Sequence, residues 1–335
     1  MIAINKKVKT IDIAKRSGVS VTTVSRYFNH PELLSEKTAE KIARAIRETD
    51  YRQDPLARAM VTGRSDLVAV IVPNLRQDFV TEMLSQLERY CQKKNLHVLL
   101  SICSDHTSEQ QEKLIRQLNT YRVRGVILLR QWLPEDIVKR IEAPMVAIGC
   151  GVGTVRQINS DYYAMGVQAG QLLRTNGCDA FMYCSDGLWD SKLPEYKQAL
   201  GFSQTVQPHP YLHIAGKEMQ PDQTAEHILA QIAQEFPDKK VGVLCEDMRT
   251  IYAIVIGAMR RGIAIPEQLE LIGCGNPMLH TELHPFVACM QHDTALMAQL
   301  AVKALDDTCI CERVIAAHLI PRTATSGGGS EQGGI

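Results

Sequence analysis

The feature that most constrains this chain of 335 residues is an alternation. Short, continuous apolar runs recur from residue 67 onward: Leu67 to Pro73, His97 to Cys103, Gly125 to Leu129, Met145 to Gly149, Ala180 to Cys184, Val241 to Cys245 and Leu269 to Ile272. Between or after them lie helical stretches: Val80 to Lys93, Ser108 to Thr120, Tyr163 to Thr175, Thr224 to Phe236, Thr250 to Arg261 and Thr294 to Leu305. Unbroken apolar strands followed by helices predict parallel sheets covered on both faces. The strands are too many for one simply ordered sheet, and Asn159-Ser160-Asp161 interrupts the middle. Two similar doubly wound α/β lobes are therefore expected, with ligands at the carboxyl ends of the strands, in a cleft between lobes.

Composition removes other classes. No apolar run approaches the roughly 18 residues of a membrane span, and the first residues show no secretory pattern, so a cytoplasmic protein is expected. The ten cysteines are scattered, with no C-x-x-C pair, and read as buried thiols rather than a zinc site. No metal and no cofactor are expected.

Charge is unevenly placed. Residues 1–65 carry 13 Lys and Arg against 7 Asp and Glu, whereas the rest carries 24 against 30. A basic head on an acidic body suits a polyanionic partner such as duplex DNA. The head contains three helix signals. Thr10 is the expected cap of a helix through Arg16, broken at Ser17-Gly18; Ser20 caps Val21 to Asn29; Ser35 caps Glu36 to Thr49 with Ala39, Ile42, Ala43 and Ile46 on one stripe. The short Ser-Gly-Val-Ser link is a helix-turn-helix signature. Thr22, Ser25, Arg26 and Asn29 share one polar face of the second helix, suited to base edges in the major groove, while Val24 and Phe28 fall opposite. Asp54-Pro55 then opens about two helical turns ended by Gly63, too short to stand alone. Leu56 and Met60 lie four apart, as apolar wedges for a minor groove would.

These residues resemble the DNA-binding head of the LacI/GalR family of bacterial transcription regulators. The match runs through Ile11-x-Ile-Ala-x-x-Ser-Gly-Val-Ser-x-x-Thr-Val-Ser-Arg-Tyr-x-Asn, Leu34-Ser-x-x-Thr38, Tyr51 and Ala57-Arg58-Ala59. The resemblance implies base reading by Val21, Thr22 and Arg26. It implies a hinge helix over 54–62, with Leu56, Ala57 and Met60 at the operator centre, and DNA contact also from Thr10, Ser25 and Asn29. Asp54 stands where the family usually has Asn, and Met60 where it has Leu. Over the body, the resemblance implies a periplasmic-binding-protein-like core. The expected divisions are 1–53 for the head, 54–65 for the hinge and linker, 66–322 for the effector core and 323–335 for a flexible tail. Within the core, one lobe takes about 66–160 and 291–322, the other about 161–290. Ile102-Cys103-Ser104-Asp105 before a Glu/Gln-rich helix is similar to the fructose and sucrose regulator branch.

Carried over position by position, the effector site would comprise Asn74, Arg76, Phe79, Arg130, Trp132, Lys192, Asp247 and Asn276. Gly275-Asn276 replaces a usual pair of aspartates. With Arg76, Arg130 and Lys192 nearby, an acidic or phosphorylated sugar is the expected effector. Enzyme readings fare worse. There is no G-x-x-x-x-G-K-[ST]; the Gly149-Cys-Gly151-Val-Gly153 cluster lacks dinucleotide spacing; Ser185 lacks a nucleophile elbow; His280-Thr-Glu-Leu-His284 is not a zinc helix. The expectation is thus a homodimeric, non-enzymatic DNA-binding repressor of carbohydrate genes, bound to a pseudo-palindromic operator and controlled by a sugar-like effector. A solute-binding protein and an α/β enzyme with a basic head are the rivals.

Overall fold

The computed structural model describes residues 8–51, 63–103, 107–130, 133–150, 155–185, 194–209, 211–215, 220–275, 286–307 and 312–322. The chain divides into two compact units, Met1–Ser65 and Asp66–Ile335.

The first unit is built from α1 (Thr10–Ser17), α2 (Val21–Asn29), a 3-10 turn at Pro31–Leu33, and α3 (Glu36–Thr49). Local chemistry sets each boundary. Ser20 Oγ accepts from the Thr23 amide at 3.0 Å and Ser35 Oγ from the Thr38 amide at 3.4 Å, each satisfying an orphan donor. Gly18 closes α1 at φ 68°, a left-handed conformation that favours glycine, and its amide donates to Ala14. Thr10 is not the cap expected of it. Lys9 occupies that position, its amide donating to the Asp12 carboxylate at 2.8 Å. The Thr10 hydroxyl instead bonds the Tyr51 hydroxyl at 2.7 Å, tying the start of α1 to the residues after α3. Ile13, Val24 and Ile42 are fully buried and pack with Ala14, Ala45 and Tyr51, flanked by Phe28. The expected stripe on α3 is rotated: Ile42 and Ala45 are buried, while Ala39, Ala43 and Ile46 are half-buried.

The second unit contains two six-stranded sheets. The first runs β11-β5-β4-β3-β1-β2, from β1 (Leu67–Val72), β2 (His97–Ile102), β3 (Gly125–Leu129), β4 (Met145–Ile148), β5 (Arg156–Ser160) and β11 (Glu312–Ile315), all parallel. The second runs β12-β10-β9-β8-β6-β7, from β6 (Ala180–Ser185), β7 (Tyr211–Ala215), β8 (Val241–Cys245), β9 (Leu269–Cys274), β10 (Val287–Gln291) and β12 (His318–Ile320); only β12 is antiparallel to its neighbour. Helices α4 (Asp78–Lys93), α5 (Ser108–Thr120) and the short α6 (Glu135–Lys139) follow β1, β2 and β3. Helices α7 (Tyr162–Thr175), α8 (Pro194–Val206), α9 (Pro221–Glu235) and α10 (Met248–Arg261) surround the second sheet, and α11 (Thr294–Ala304) follows β10.

The chain crosses between lobes three times: from β5 into α7, from β10 into α11, and from β11 into β12. Met297, Ala298, Ala301 and Val302 of α11 pack into the core of the first sheet, on Val68, Val70 and Ile127. β12 returns to the second sheet through Cys289–Ile320 and Met290–Leu319 pairing. Residues 291–322 are therefore shared between lobes, not assigned wholly to the first as the sequence suggested. Four residues between α11 and β11, 308–311, lie outside the described ones.

Glycines let α7 and α8 touch. A Cβ on Gly166 would lie 2.0 Å from the Gln198 carbonyl oxygen, and one on Gly201 would lie 2.3 Å from the Tyr163 carbonyl oxygen. Backbone meets backbone only because both positions lack side chains. This contact seats the first turn of α8 at the mouth of the second sheet.

Candidate nucleic-acid interface and ligand cleft

On α2, Thr22 and Arg26 are exposed and Val21 is 45% exposed, while Val24 is wholly buried on the other side. Ser25 is half-buried. Helical spacing alone accounts for this division, because positions three and four apart share a face. The exposed edge offers hydroxyl and guanidinium donors beside an apolar side chain, the mixture that base edges and thymine methyls recognise. Lys15, Lys37, Lys41, Arg44 and Arg47 are also exposed on this unit, and Arg16 pairs with Glu48 at 3.1 Å. The Asn29 side chain and the hinge positions Leu56, Ala57 and Met60 lie outside the described residues.

The core unit holds a cleft, open to solvent, where the carboxyl ends of both sheets face each other. Phe79 comes from the start of α4, Arg130 from the end of β3, Tyr162 from the start of α7. Glu195 and Gln198 come from α8, Glu246 and Asp247 from the end of β8, Cys274 from β9, and His292 from the crossing after β10. A parallel sheet exposes its strand ends together, so residues distant in sequence converge there.

An ion pair between Arg130 and Glu195 spans the two lobes. Arg130 sits at φ 49°, a left-handed conformation costly for a side chain of this size. Burial opposes its charge, but Glu195, Tyr162 and Glu246 outweigh burial and hold the guanidinium charged above its ordinary range. Tyr183 donates to Glu246, and Gln198 Nε2 donates to Cys274 Sγ at 3.2 Å. His292 Nδ1 and Ser160 Oγ are 2.7 Å apart, and the ring meets Phe79 edge-on with centroids 4.7 Å apart. Burial, then the nearby Arg130 charge, push the imidazole down to about 3, so it is neutral. The Tyr162 phenol is held protonated, well above its ordinary value, chiefly by burial.

Of the residues carried over from the family, Phe79, Arg130 and Asp247 line this cavity. Asp247 does so with its carboxylate already engaged: it accepts from the Thr250 amide and hydroxyl, both at 3.0 Å, as the cap of α10. Asn74 and Arg76 are not among the lining. The Asn74 side chain accepts the Arg76 amide at 2.8 Å in a local turn that leaves Arg76 exposed. Trp132, Lys192 and Asn276 lie outside the described residues, as does the His280–His284 pair. Sequence reasoning missed Tyr162, Glu195, Gln198, Glu246 and His292. Glu246 follows an apolar run directly, and the rule that strand ends face the ligand would have found it, whereas His292 follows β10, a strand that went unread. Glu195 and Gln198 carry no local signal; the α7–α8 contact brings them in.

The lining so described is predominantly acidic. Its described residues carry the carboxylates of Asp78, Glu82, Glu195, Glu246 and Asp247 against the single guanidinium of Arg130. Among the described residues no group of three or more His, Cys, Asp or Glu is placed to hold a metal ion, the eight described cysteines are all buried thiols, and no helix is long and apolar enough to cross a membrane.

Comparison with known proteins agrees with this geometry. Residues 10–54 match the family described as bacterial regulatory proteins, lacI family, and residues 171–326 match the periplasmic binding protein-like domain. The sucrose operon repressor of Streptococcus mutans serotype c is 28% identical over 300 residues, 89% of this chain and 91% of that protein. Catabolite control protein A of Staphylococcus epidermidis is 25% identical over 283 residues, 82% of this chain and 84% of that protein. In fold, the chain is similar to the lac repressor dimer bound to operator and the anti-inducer ONPF, with a TM-score of 0.75, 17% identity, and coverage of 96% of this chain and 99% of that one. It is also similar to the transcriptional regulator CelR in complex with cellobiose, with a TM-score of 0.66, 20% identity, and coverage of 94% and 99%. The head thus matches the lacI family of bacterial regulatory proteins, and the body matches the periplasmic binding protein-like domain.

Proposed function

We propose that the protein is a cytoplasmic, sequence-specific repressor of carbohydrate-uptake or catabolism genes, acting as a two-fold dimer on a pseudo-palindromic operator. The observation that carries this reading is the Val21–Thr22–Arg26 edge of α2, exposed above a buried Val24, in a chain that also holds a cleft between two lobes. The relatives named for sucrose and the neighbour solved with cellobiose support a sugar-like effector.

The division of labour is head 1–53, hinge 54–65, effector core 66–322 and tail 323–335. An effector that binds one arrangement of the lobes better than another shifts the population between them. Arg130 and Glu195, paired across the cleft, are where a ligand first alters that balance. In the hinge, Leu56 and Met60 act as wedges whose docking follows the lobes, with Ala57 beside them on DNA. A coupling of about 1–3 kcal/mol would change operator affinity about 5–150-fold. The family is regulatory in type, and we assign no catalytic role to this chain.

The test is an in vitro selection from random duplex DNA with the full-length protein at near-physiological salt. A two-fold symmetric motif is the expected result. A pool that stays unselected, with and without a mixture of sugars and sugar derivatives, would overturn the reading.

A further inference from the structure

This inference rests on the cleft being the effector site and concerns what chemistry enters it. Five carboxylates and one guanidinium line the described cleft, and Arg249 pairs with Asp247 at 3.4 Å from outside that lining, which leaves a formal excess of three negative charges. Arg130 offers no unbalanced positive charge, because Glu195 is already paired with it. His292 adds none, since its imidazole is neutral. An acidic cluster alone would not define a site, but a second observation points to a ligand. Tyr162 is only 4% exposed, lines the same cavity, and its hydroxyl has no hydrogen-bond partner among the described residues. A buried hydroxyl left unbonded costs free energy unless something entering the cavity pairs with it. Phe79 and Tyr162 place aromatic rings at the same place.

We propose that this cleft takes a polyhydroxylated ligand carrying a protonated amine, chemically an amino sugar, and rejects phosphorylated and acidic sugars. An ammonium group has three donors and no acceptor, the complement of a lining rich in carboxylate oxygens. Aromatic faces also attract cations. A phosphate or carboxylate would meet like charge on several sides, in a partly enclosed space where screening is weaker than in water. Neutral sugars donate through hydroxyls but gain nothing from the net charge, so they bind more weakly than their amino counterparts.

The experiment is calorimetry on the full-length protein at pH 7 with D-glucosamine, D-galactosamine and D-mannosamine. Each is set beside its parent hexose, its N-acetyl form and the 6-phosphate of the parent. At least one amine should bind ten-fold or more tightly than its parent and its N-acetyl form, and the phosphates should not bind. Glu82→Gln and Asp78→Asn, at half-buried positions, should each reduce the preference for the amine over its parent hexose several-fold. Binding of any 6-phosphate, a hexose or N-acetyl form that binds as tightly as its amine, or no amine binding at all would each overturn the proposal. Operator selection on the same preparation separates this failure from that of the regulator reading. A neutral or anionic sugar that shifts operator occupancy overturns only the charge assignment. A protein that selects no operator under any of these conditions overturns the regulator reading itself.

Discussion

On α2, the residues offered to a partner lie within six positions, Val21 to Arg26, and point to solvent. In the cleft, Phe79, Arg130, Glu195, Glu246 and His292 come from five separate segments and meet in a partly enclosed space. The sign of charge differs too: the head as a whole carries a basic excess, while the described cleft lining is acidic. A helix face needs only its own backbone to be assembled, whereas the cleft needs two sheets, three crossings and the α7–α8 contact. Damage to the head should therefore stay local, and damage to the cleft should come from far away in the sequence.

The largest test of that difference is Ile42→Ala. Ile42 is wholly buried in the small core of the head, and such a truncation costs about 2–5 kcal/mol. A unit of this size has little stability to lose. Operator binding should disappear in a mobility-shift assay while calorimetric ligand binding persists; loss of both would show that the two units do not fold independently. Next is Gly166→Ala, whose new methyl would press on the Gln198 carbonyl. Overpacking of this kind costs about 1–3 kcal/mol, and urea unfolding of the core should register it. Because α8 must move, Glu195 and Gln198 shift and ligand affinity should fall at least ten-fold.

A sharper probe of the head is Arg26→Ala. If the guanidinium reads a base edge, the change costs about 1–3 kcal/mol and relaxes choice at one position per half-site. Uniform weakening across all sequences would mean that Arg26 touches only phosphate. A separate test, read from pH rather than from truncation, concerns His292. Its imidazole stays neutral in the folded core down to about pH 3, whereas in the unfolded chain it protonates near 6.5. Between those values the unfolded state holds the extra proton, so core stability should fall as pH drops from 6.5 towards 3, by at most about 1.4 kcal/mol per pH unit. Above 6.5 this contribution is constant. Urea unfolding of His292→Gln across that range should show a shallower slope.

How far each region was legible follows from the same contrast. Helix α3 appears over Glu36–Thr49 as its Ser35 cap and apolar spacing predict, and the Gly18 turn falls where the helix-turn-helix signature places it. Seven strands stand on the seven apolar runs, with ends displaced by a residue or two. Five others, β5, β7, β10, β11 and β12, went unread. Most are mixed in polarity, or short: Arg156–Ser160 is a strand because β4 and β11 pair with it on either side, and no periodicity of its own says so. Helix α9 begins at Pro221, three residues before the expected Thr224, because proline is tolerated in the first turn.

The cleft was legible only in part, and what was not legible shares a cause. Arg76 and Arg130 both follow strands and both read as anion ligands. The Asn74 turn leaves Arg76 exposed, and the lobe-spanning pair gives Arg130 to Glu195. Asp247 reads as a ligand carboxylate and lines the cavity, but caps α10 as well. What the sequence alone determined are the properties set by neighbours along the chain: caps, turns, the exposed face of α2, the alternation that makes two α/β lobes, and the signature of the family. What only the tertiary structure decided is which charges meet. Glu195 and Glu246 reach Arg130 and Tyr183 across separations that no spacing rule spans, because the parallel sheets gather their strand ends and Gly166 and Gly201 bring two helix backbones into contact.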